Sequence, residues 1–156
     1  MTMNKDEIKN LIKELVERVN IGVKDLSLTE EKPGAFWISV EVNEPHHFIA
    51  HEGEGLNALN HLAYRILEAK NPAPERSIVI DINGFQKKRV ENIRAVAHMM
   101  SERARYFKSN IEVDPMSAFE RRIVHEFLSE AKDLQTESVG AGRSRRVVIK
   151  YIGDLK

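Results

Sequence analysis

The feature that most limits what this chain can fold into is a change of hydrophobic period between Asn4 and Val42. Ile8, Leu11, Ile12, Leu15, Val16 and Val19 recur at steps of three and four, the spacing that gathers apolar side chains on one side of an α-helix. Asn4 and Glu7 supply a capping box at its start, and Asn20 and Gly22 end it. The period then drops to two. Leu26 and Leu28 share one face of a strand from Val23 to Glu30, Lys32-Pro33-Gly34 makes a turn, and Phe36, Ile38, Val40 and Val42 alternate with Trp37, Ser39 and Glu41. A β-hairpin with one apolar face therefore follows the helix, and the two apolar sides must bury each other.

Pro45 closes the hairpin, and the stretch HHFIAHEGEG leads into a second helix carrying Leu56, Leu59, Leu62, Ala63, Ile66 and Leu67, stopped by Asn71, Pro72 and Pro74. Ser77 to Asn83, rich in β-branched residues, reads as a third strand ended by Gly84. The order α-β-β-α-β implies an α/β (α+β) fold, with helices on one face of a small sheet. Gln86 to Lys108 is the longest helical pattern, with Val90, Ile93, Ala97, Met100, Ala104 and Phe107 on one side. Asn110 to Pro115 is a short link. A second capping box, Ser117 with Glu120, opens a helix whose stripe is Phe119, Ile123, Val124, Phe127, Leu128 and Ala131; a polar link, Gly140, Gly142 and a strand from Val147 to Tyr151 follow. The expected division is residues 1–83, a connecting helix at 84–111, and a small α/β domain at 112–156.

The balanced net charge hides an asymmetry. Residues 1–83 carry 9 Lys and Arg against 14 Asp and Glu, net −5, whereas residues 84–156 carry 15 against 10, net +5. Attraction to a polyanion acts locally, so any nucleic acid should meet the second half. With no cysteine, disulfides and thiolate chemistry are excluded. No apolar run approaches the ~18 residues of a membrane span, and Met1 to Asn20 is charged throughout, so the expected location is the cytoplasm.

Arg121 and His125, one helical turn apart with Arg122 about 100° further round, can hold one phosphate. The arginine would bind as a bidentate fork and the imidazole as a single donor. The spacing alone is weak, because Arg94 and His98 repeat it. The context is stronger: Gly140 and Gly142 precede Arg143, Arg145 and Arg146, and strand alternation sends Arg145 to the face of Val147 and Ile149 but Arg146 to that of Val148 and Lys150. On the long helix Lys87, Arg94, His98 and Arg105 share a second face, either a solvated surface paired with Glu91 and Glu102 or a secondary phosphate-facing stripe. His47 and His51 have metal-ligand spacing near His46, His61 and Glu52, but no second recognised pair accompanies them, so exposed histidines and no metal or cofactor are expected. No nucleophile with a base is evident, so catalysis and a small-molecule substrate are not expected.

DPMSAFERRIVHEFL followed by TESVGAGRSRRVVI resembles the R-three-H domain in the form found in the bacterial Jag family. Upstream, SIVIDINGFQKKRVENI is similar to that family's junction between a KH domain and the R-three-H domain. The resemblance implies a binder of single-stranded RNA or DNA, with Arg121 and His125 at the signature positions. Arg122, Arg143, Arg145, Arg146 and Lys150 would build a basic surface around them. It also implies a KH-like domain at 1–83. The alternative reading is a protein-interaction or dimerisation module, in which this acidic half pairs with itself or another KH-domain protein and nucleic-acid binding is incidental. The KH Gly-x-x-Gly loop is degenerate here: Ala50-His51-Glu52-Gly53 lacks the first glycine and carries an anion, with Glu54 next, so weak or no RNA binding is expected there. The family's N-terminal Jag domain has no counterpart in this sequence, which puts in doubt a membrane-associated role attached to that part.

Overall fold

The computed structural model describes residues 3–70 and 77–153. They form two units, Met1–Lys87 and Lys88–Lys156, and have the α+β architecture that the periodicities imply.

In the first unit α1 (Lys5–Glu17) starts at the expected capping box: the Asn4 side chain accepts from the Glu7 amide, and the Glu7 carboxylate accepts from the Asn4 amide. The strands β1 (Val23–Lys32) and β2 (Ala35–Val42) are antiparallel. After α2 (His46–Lys70), β3 (Ser77–Ile82) returns parallel to β2, a direction that requires a long crossover such as this helix. Ile8, Ile12 and Val16 of α1 and Leu56, Leu59 and Ala63 of α2 bury against Phe36, Ile38, Val40, Ile80 and Ile82, which places both helices on one face of the sheet.

Two asparagines finish this sheet by imitating backbone. The amides of Ser77 and Asn83 donate to Gly34 and Val40, so Ile80, between them in the alternation, turns its polar groups to the outer edge. There the Asn60 carboxamide accepts from the Ile80 amide at 2.8 Å and donates to its carbonyl at 3.2 Å. Asn83 makes the same reciprocal pair with Val42, at 2.8 and 3.0 Å, where β3 ends.

Three expectations are corrected here. Val19 lies beyond the end of α1 and is 56% exposed, because the stripe outlasts the hydrogen-bonded helix. Leu62 is 49% exposed, since the sheet contact of α2 is centred on Leu59 and Ala63. The second helix begins earlier than the sequence suggests: residues from His46 are already helical, and the helix is broken at Ala50–Gly53 before it resumes. The stop expected at Asn71, Pro72 and Pro74 lies outside the described residues.

α3 (Phe85–Phe107) begins three residues before the boundary, and in the second unit it is followed by the two-residue β4 (Ile111–Glu112), α4 (Ala118–Leu128), β5 (Leu134–Val139), a 3-10 turn at Gly142–Ser144 and β6 (Arg146–Tyr151). The strands lie in the order β4-β6-β5, with β6 antiparallel to both neighbours. Ala97 and Ala104 of α3 and Val124 and Leu128 of α4 share a core with Val113, Leu134, Val147 and Ile149. The stretch read as a polar link is therefore the edge strand β5, with only one of its sides facing the core. Phe107 and Phe127, assigned to apolar stripes, are 59% and 42% exposed. Phe107 is the last residue of α3, and Phe127 sits at the margin of a contact centred on Val124 and Leu128.

Replacing Asn60 by alanine would leave the edge amide and carbonyl of Ile80 without their side-chain partner. It is expected to cost about 1–3 kcal/mol, read as a lower urea midpoint at unchanged slope. Asn10→Ala on the exposed side of α1 should change stability by less than about 0.5 kcal/mol.

Candidate nucleic-acid interface

The geometry of α4 begins with its cap. Ser117 accepts from the Glu120 amide, and the Glu120 carboxylate accepts from the Ser117 amide at 2.8 Å and from the Arg89 guanidinium of α3 at 2.9 Å. Burial raises the Glu120 carboxyl, but the Ser117 amide and the Arg89 guanidinium outweigh it and hold the group below the usual carboxylate range. Val124 and Leu128 dock α4 on the sheet, which leaves Arg121 and His125 at the side of the helix nearest β5.

His125 is bracketed by two hydroxyls of that strand. Its Nδ1 lies 2.7 Å from Thr136 Oγ1 and its Nε2 lies 2.8 Å from Ser138 Oγ. Thr136 and Ser138 pair with Ile149 and Val147, the core-facing residues of β6, so they stand on the helix side of the sheet. Burial, and then the charge of Arg121, push the imidazole below its usual range and favour the neutral ring. Both ring nitrogens are engaged, and the expected direct imidazole contact to phosphate would require one of these bonds to open.

The basic residues divide by position and by partner. One terminal nitrogen of Arg121 donates to the Met116 carbonyl at 2.8 Å, and the Met116 amide donates to the Arg145 carbonyl at 3.2 Å. Arg145 in turn donates to the Gly140 carbonyl at 2.7 Å, and Arg143 is exposed in the intervening turn. The N-terminal end of α4 is thereby tied to the β5–β6 connection. Among the described residues no carboxylate pairs with Arg121, Arg143 or Arg145. Arg122 pairs with Glu126 on the outside of α4. Arg146 with Glu112, and Lys150 with Glu137, form two cross-strand ion pairs on the face of the sheet turned away from α4. The seven residues singled out from the sequence thus do not make one patch.

The turn between β5 and β6 depends on glycine at two places, Gly140 (φ +86°) and Gly142 (φ +58°). A Cβ on Gly140 would also approach the Ser144 carbonyl to 3.0 Å, so this position is closed to other residues on two counts.

On α3, Arg105 holds Asp133 through two bonds of 2.7 and 3.0 Å and also pairs with Glu102, which raises the guanidinium pKa further and lowers that of Asp133. This end of the secondary stripe is neutralised; Lys87, Arg94 and His98 are exposed. In the first unit the loop Ala50–Gly53 interrupts α2. Ala50 is extended at φ −60°, ψ 157°, while His51, Glu52 and Gly53 all have positive φ. The extended backbone of Ala50 does not call for glycine, and Gly53 stands where positive φ favours it. His51 lines a surface pocket with His46, His47 and Glu54. Among the described residues no three metal-ligating side chains come together as a site.

Sequence reasoning missed Thr136 and Ser138. Their signal is faint: Leu134, Thr136 and Ser138 alternate with Gln135, Glu137 and Val139 ahead of a glycine turn, but one face carries a single large apolar residue, too few for an alternation to stand out.

Residues 91–151 match the R-three-H domain family. The chain is similar to proteins named RNA-binding protein KhpB: 30% identity over 105 residues with that of Bacillus subtilis, covering 66% of this chain and 50% of the relative. With the Streptococcus pneumoniae D39 protein the identity is 28% over 112 residues, 72% and 34% of the two chains. With the Clostridium symbiosum protein it is 26% over 101 residues, 65% and 45%. This chain thus spans half or less of the length of these relatives.

The bracketed geometry fixes how His125 titrates. Its NMR midpoint should lie below the usual imidazole range, and Arg121→Ala should raise it by removing the neighbouring charge. Because the folded pKa is below the unfolded one, the contribution of His125 to stability is complete above the usual imidazole range and is lost as pH falls below it.

Proposed function

We propose that this chain, a relative of the KhpB proteins that carries an R-three-H domain over residues 91–151, is a non-catalytic binder of single-stranded RNA. The observation that carries this reading is the sorting of charge in the second unit. Arg121, Arg143 and Arg145 stand at one end of α4 with no carboxylate among the described residues, whereas Arg105, Arg122, Arg146 and Lys150 each have one. Phosphate binding at the first group breaks no existing ion pair, so the attraction is not offset by separating charges already matched. The name of the relatives, RNA-binding protein, supports RNA as the polyanion, and single-stranded DNA, with the same phosphates, is expected to compete.

We assign residues 1–83 to a KH-like domain and 112–156 to the R-three-H domain, with α3 between them, and place the protein in the cytoplasm. The KH-like part contributes little to RNA affinity on this reading, because Glu52 and Glu54 lie at its loop. Catalysis is disfavoured by the chemistry around His125. A serine paired with a histidine resembles a nucleophile and its base, yet the third group is the Thr136 hydroxyl, which cannot stabilise an imidazolium as a carboxylate does.

Arg121→Ala should weaken binding of an oligouridylate of about 15 nucleotides by about tenfold or more, as measured by fluorescence anisotropy. It should also lower the dependence of log affinity on log salt by about one ion. Arg146→Ala, which breaks an ion pair on the opposite face, should change affinity by less than about twofold. Equal losses from the two substitutions would move the site away from α4.

A further inference from the structure

The register places Ser138 at the Arg121 end of the hydroxyl pair. Arg121 is bonded to Met116, Met116 to Arg145, and the next residue, Arg146, pairs with Val139, the immediate neighbour of Ser138. Thr136 lies one strand repeat further away. Thr136 and Ser138 are both partly buried residues, and His125 is the one side-chain partner of each hydroxyl among the described residues.

A neutral imidazole has one N–H and one bare nitrogen, and a hydroxyl has one proton to donate. The hydroxyl that accepts from the ring N–H keeps its own proton for a third group. The other hydroxyl donates its proton to the bare nitrogen and offers only lone pairs outward. Phosphate oxygens accept hydrogen bonds and repel lone pairs, so the tautomer of His125 decides which hydroxyl can bind phosphate.

We propose that the Ser138 hydroxyl, oriented by His125, donates directly to an RNA phosphate beside Arg121, and that His125 is a positioning residue that sets how many hydroxyl protons face the RNA. This rests on the reading of the second unit as an RNA binder. A phosphate at Ser138 selects the tautomer protonated at Nε2, with Thr136 donating to Nδ1. Protonation of the ring turns both hydroxyls outward as donors and adds a positive charge behind them, so binding of RNA and uptake of a proton favour each other.

The charges around the ring leave this coupling to His125 itself. On α4, Arg121 is the charge that bears on it, while Glu120 is held by Ser117 and Arg89, and Arg122 by Glu126. On β5, Glu137 faces the other side and pairs with Lys150, and Asp133 just before the strand is held by Arg105. The helix-facing residues of β6 are Val147 and Ile149, with Arg145 ahead of them bonded to Gly140, and α3 meets the shared core through Ala97 and Ala104.

The test is anisotropy with a fluorescent oligouridylate of about 15 nucleotides, on the full chain, between about pH 7.5 and about pH 6. Ser138→Ala is expected to weaken binding about threefold to tenfold, and Ser138→Thr, which restores a hydroxyl, to stay within about twofold of the parent protein. The parent should bind about threefold or more tighter at the lower pH, a gain that His125→Gln removes while remaining folded by circular dichroism. In the unsubstituted protein, adding the RNA should raise the NMR titration midpoint of His125. Parent-like binding by Ser138→Ala, an unchanged pH slope in His125→Gln, or an unmoved His125 midpoint overturns the proposal while leaving the RNA reading intact if Arg121→Ala still weakens binding. Absence of RNA binding by the parent, or parent-like binding by Arg121→Ala, overturns the RNA reading itself.

Discussion

The second unit depends on one contact, the burial of Val124 and Leu128 of α4 against Val147, Ile149 and Leu134. A helix presents residues one turn apart on a common side, so fixing its apolar stripe also fixes the direction of Arg121 and His125. The capping box at Ser117 and the Arg89–Glu120 ion pair hold the start of the helix, where an error in entry angle would carry Arg121 away from the β5–β6 turn. The polar arrangement is thus a consequence of apolar packing, and each residue of the stripe affects the site through the angle at which the helix lies.

The distribution of ion pairs gives the basic residues different standing despite their common charge. A guanidinium already matched by a carboxylate must separate from it before meeting phosphate, and the exchange of one ion pair for another gains little in water. Arg146 and Lys150 are of this kind, as is Arg105 with its two acidic neighbours. Arg121 and Arg145 are instead bound to backbone carbonyls through a single terminal nitrogen each. A carbonyl orients a guanidinium without neutralising it, which is the arrangement a site for an anion requires.

In the first unit the loop at Ala50–Gly53 has a backbone shape set by its own residues. Positive φ at His51, Glu52 and Gly53 turns the chain between the two parts of α2, and the two non-glycine residues hold that conformation at a cost of about 1 kcal/mol each or more. Glu52 and Glu54 give the loop negative charge, which disfavours close approach of a polyanion. The buried Leu56 and Phe48 on either side keep the loop attached to the core, so its geometry survives independently of what it binds.

Much of the fold was legible in the residues themselves. Both capping boxes, the hairpin, the third strand and the long helix follow from interactions between near neighbours: side chain to amide across three residues, and apolar period along one segment. The failures lie where a distant partner decides the outcome. Val19, Leu62, Phe107 and Phe127 obey the helical period yet are exposed, because the surface that would cover them ends first. For the candidate site, Arg121 and His125 could be named from their spacing and family resemblance, and the opposite facing of Arg145 and Arg146 follows from the period of a strand. Tertiary structure alone decided that β5 is a strand, that Thr136 and Ser138 close on His125, and that Arg146 and Lys150 are spent on Glu112 and Glu137. Each of these requires two segments to meet in a particular register, and no local pattern in either segment encodes which residue of the other it will face.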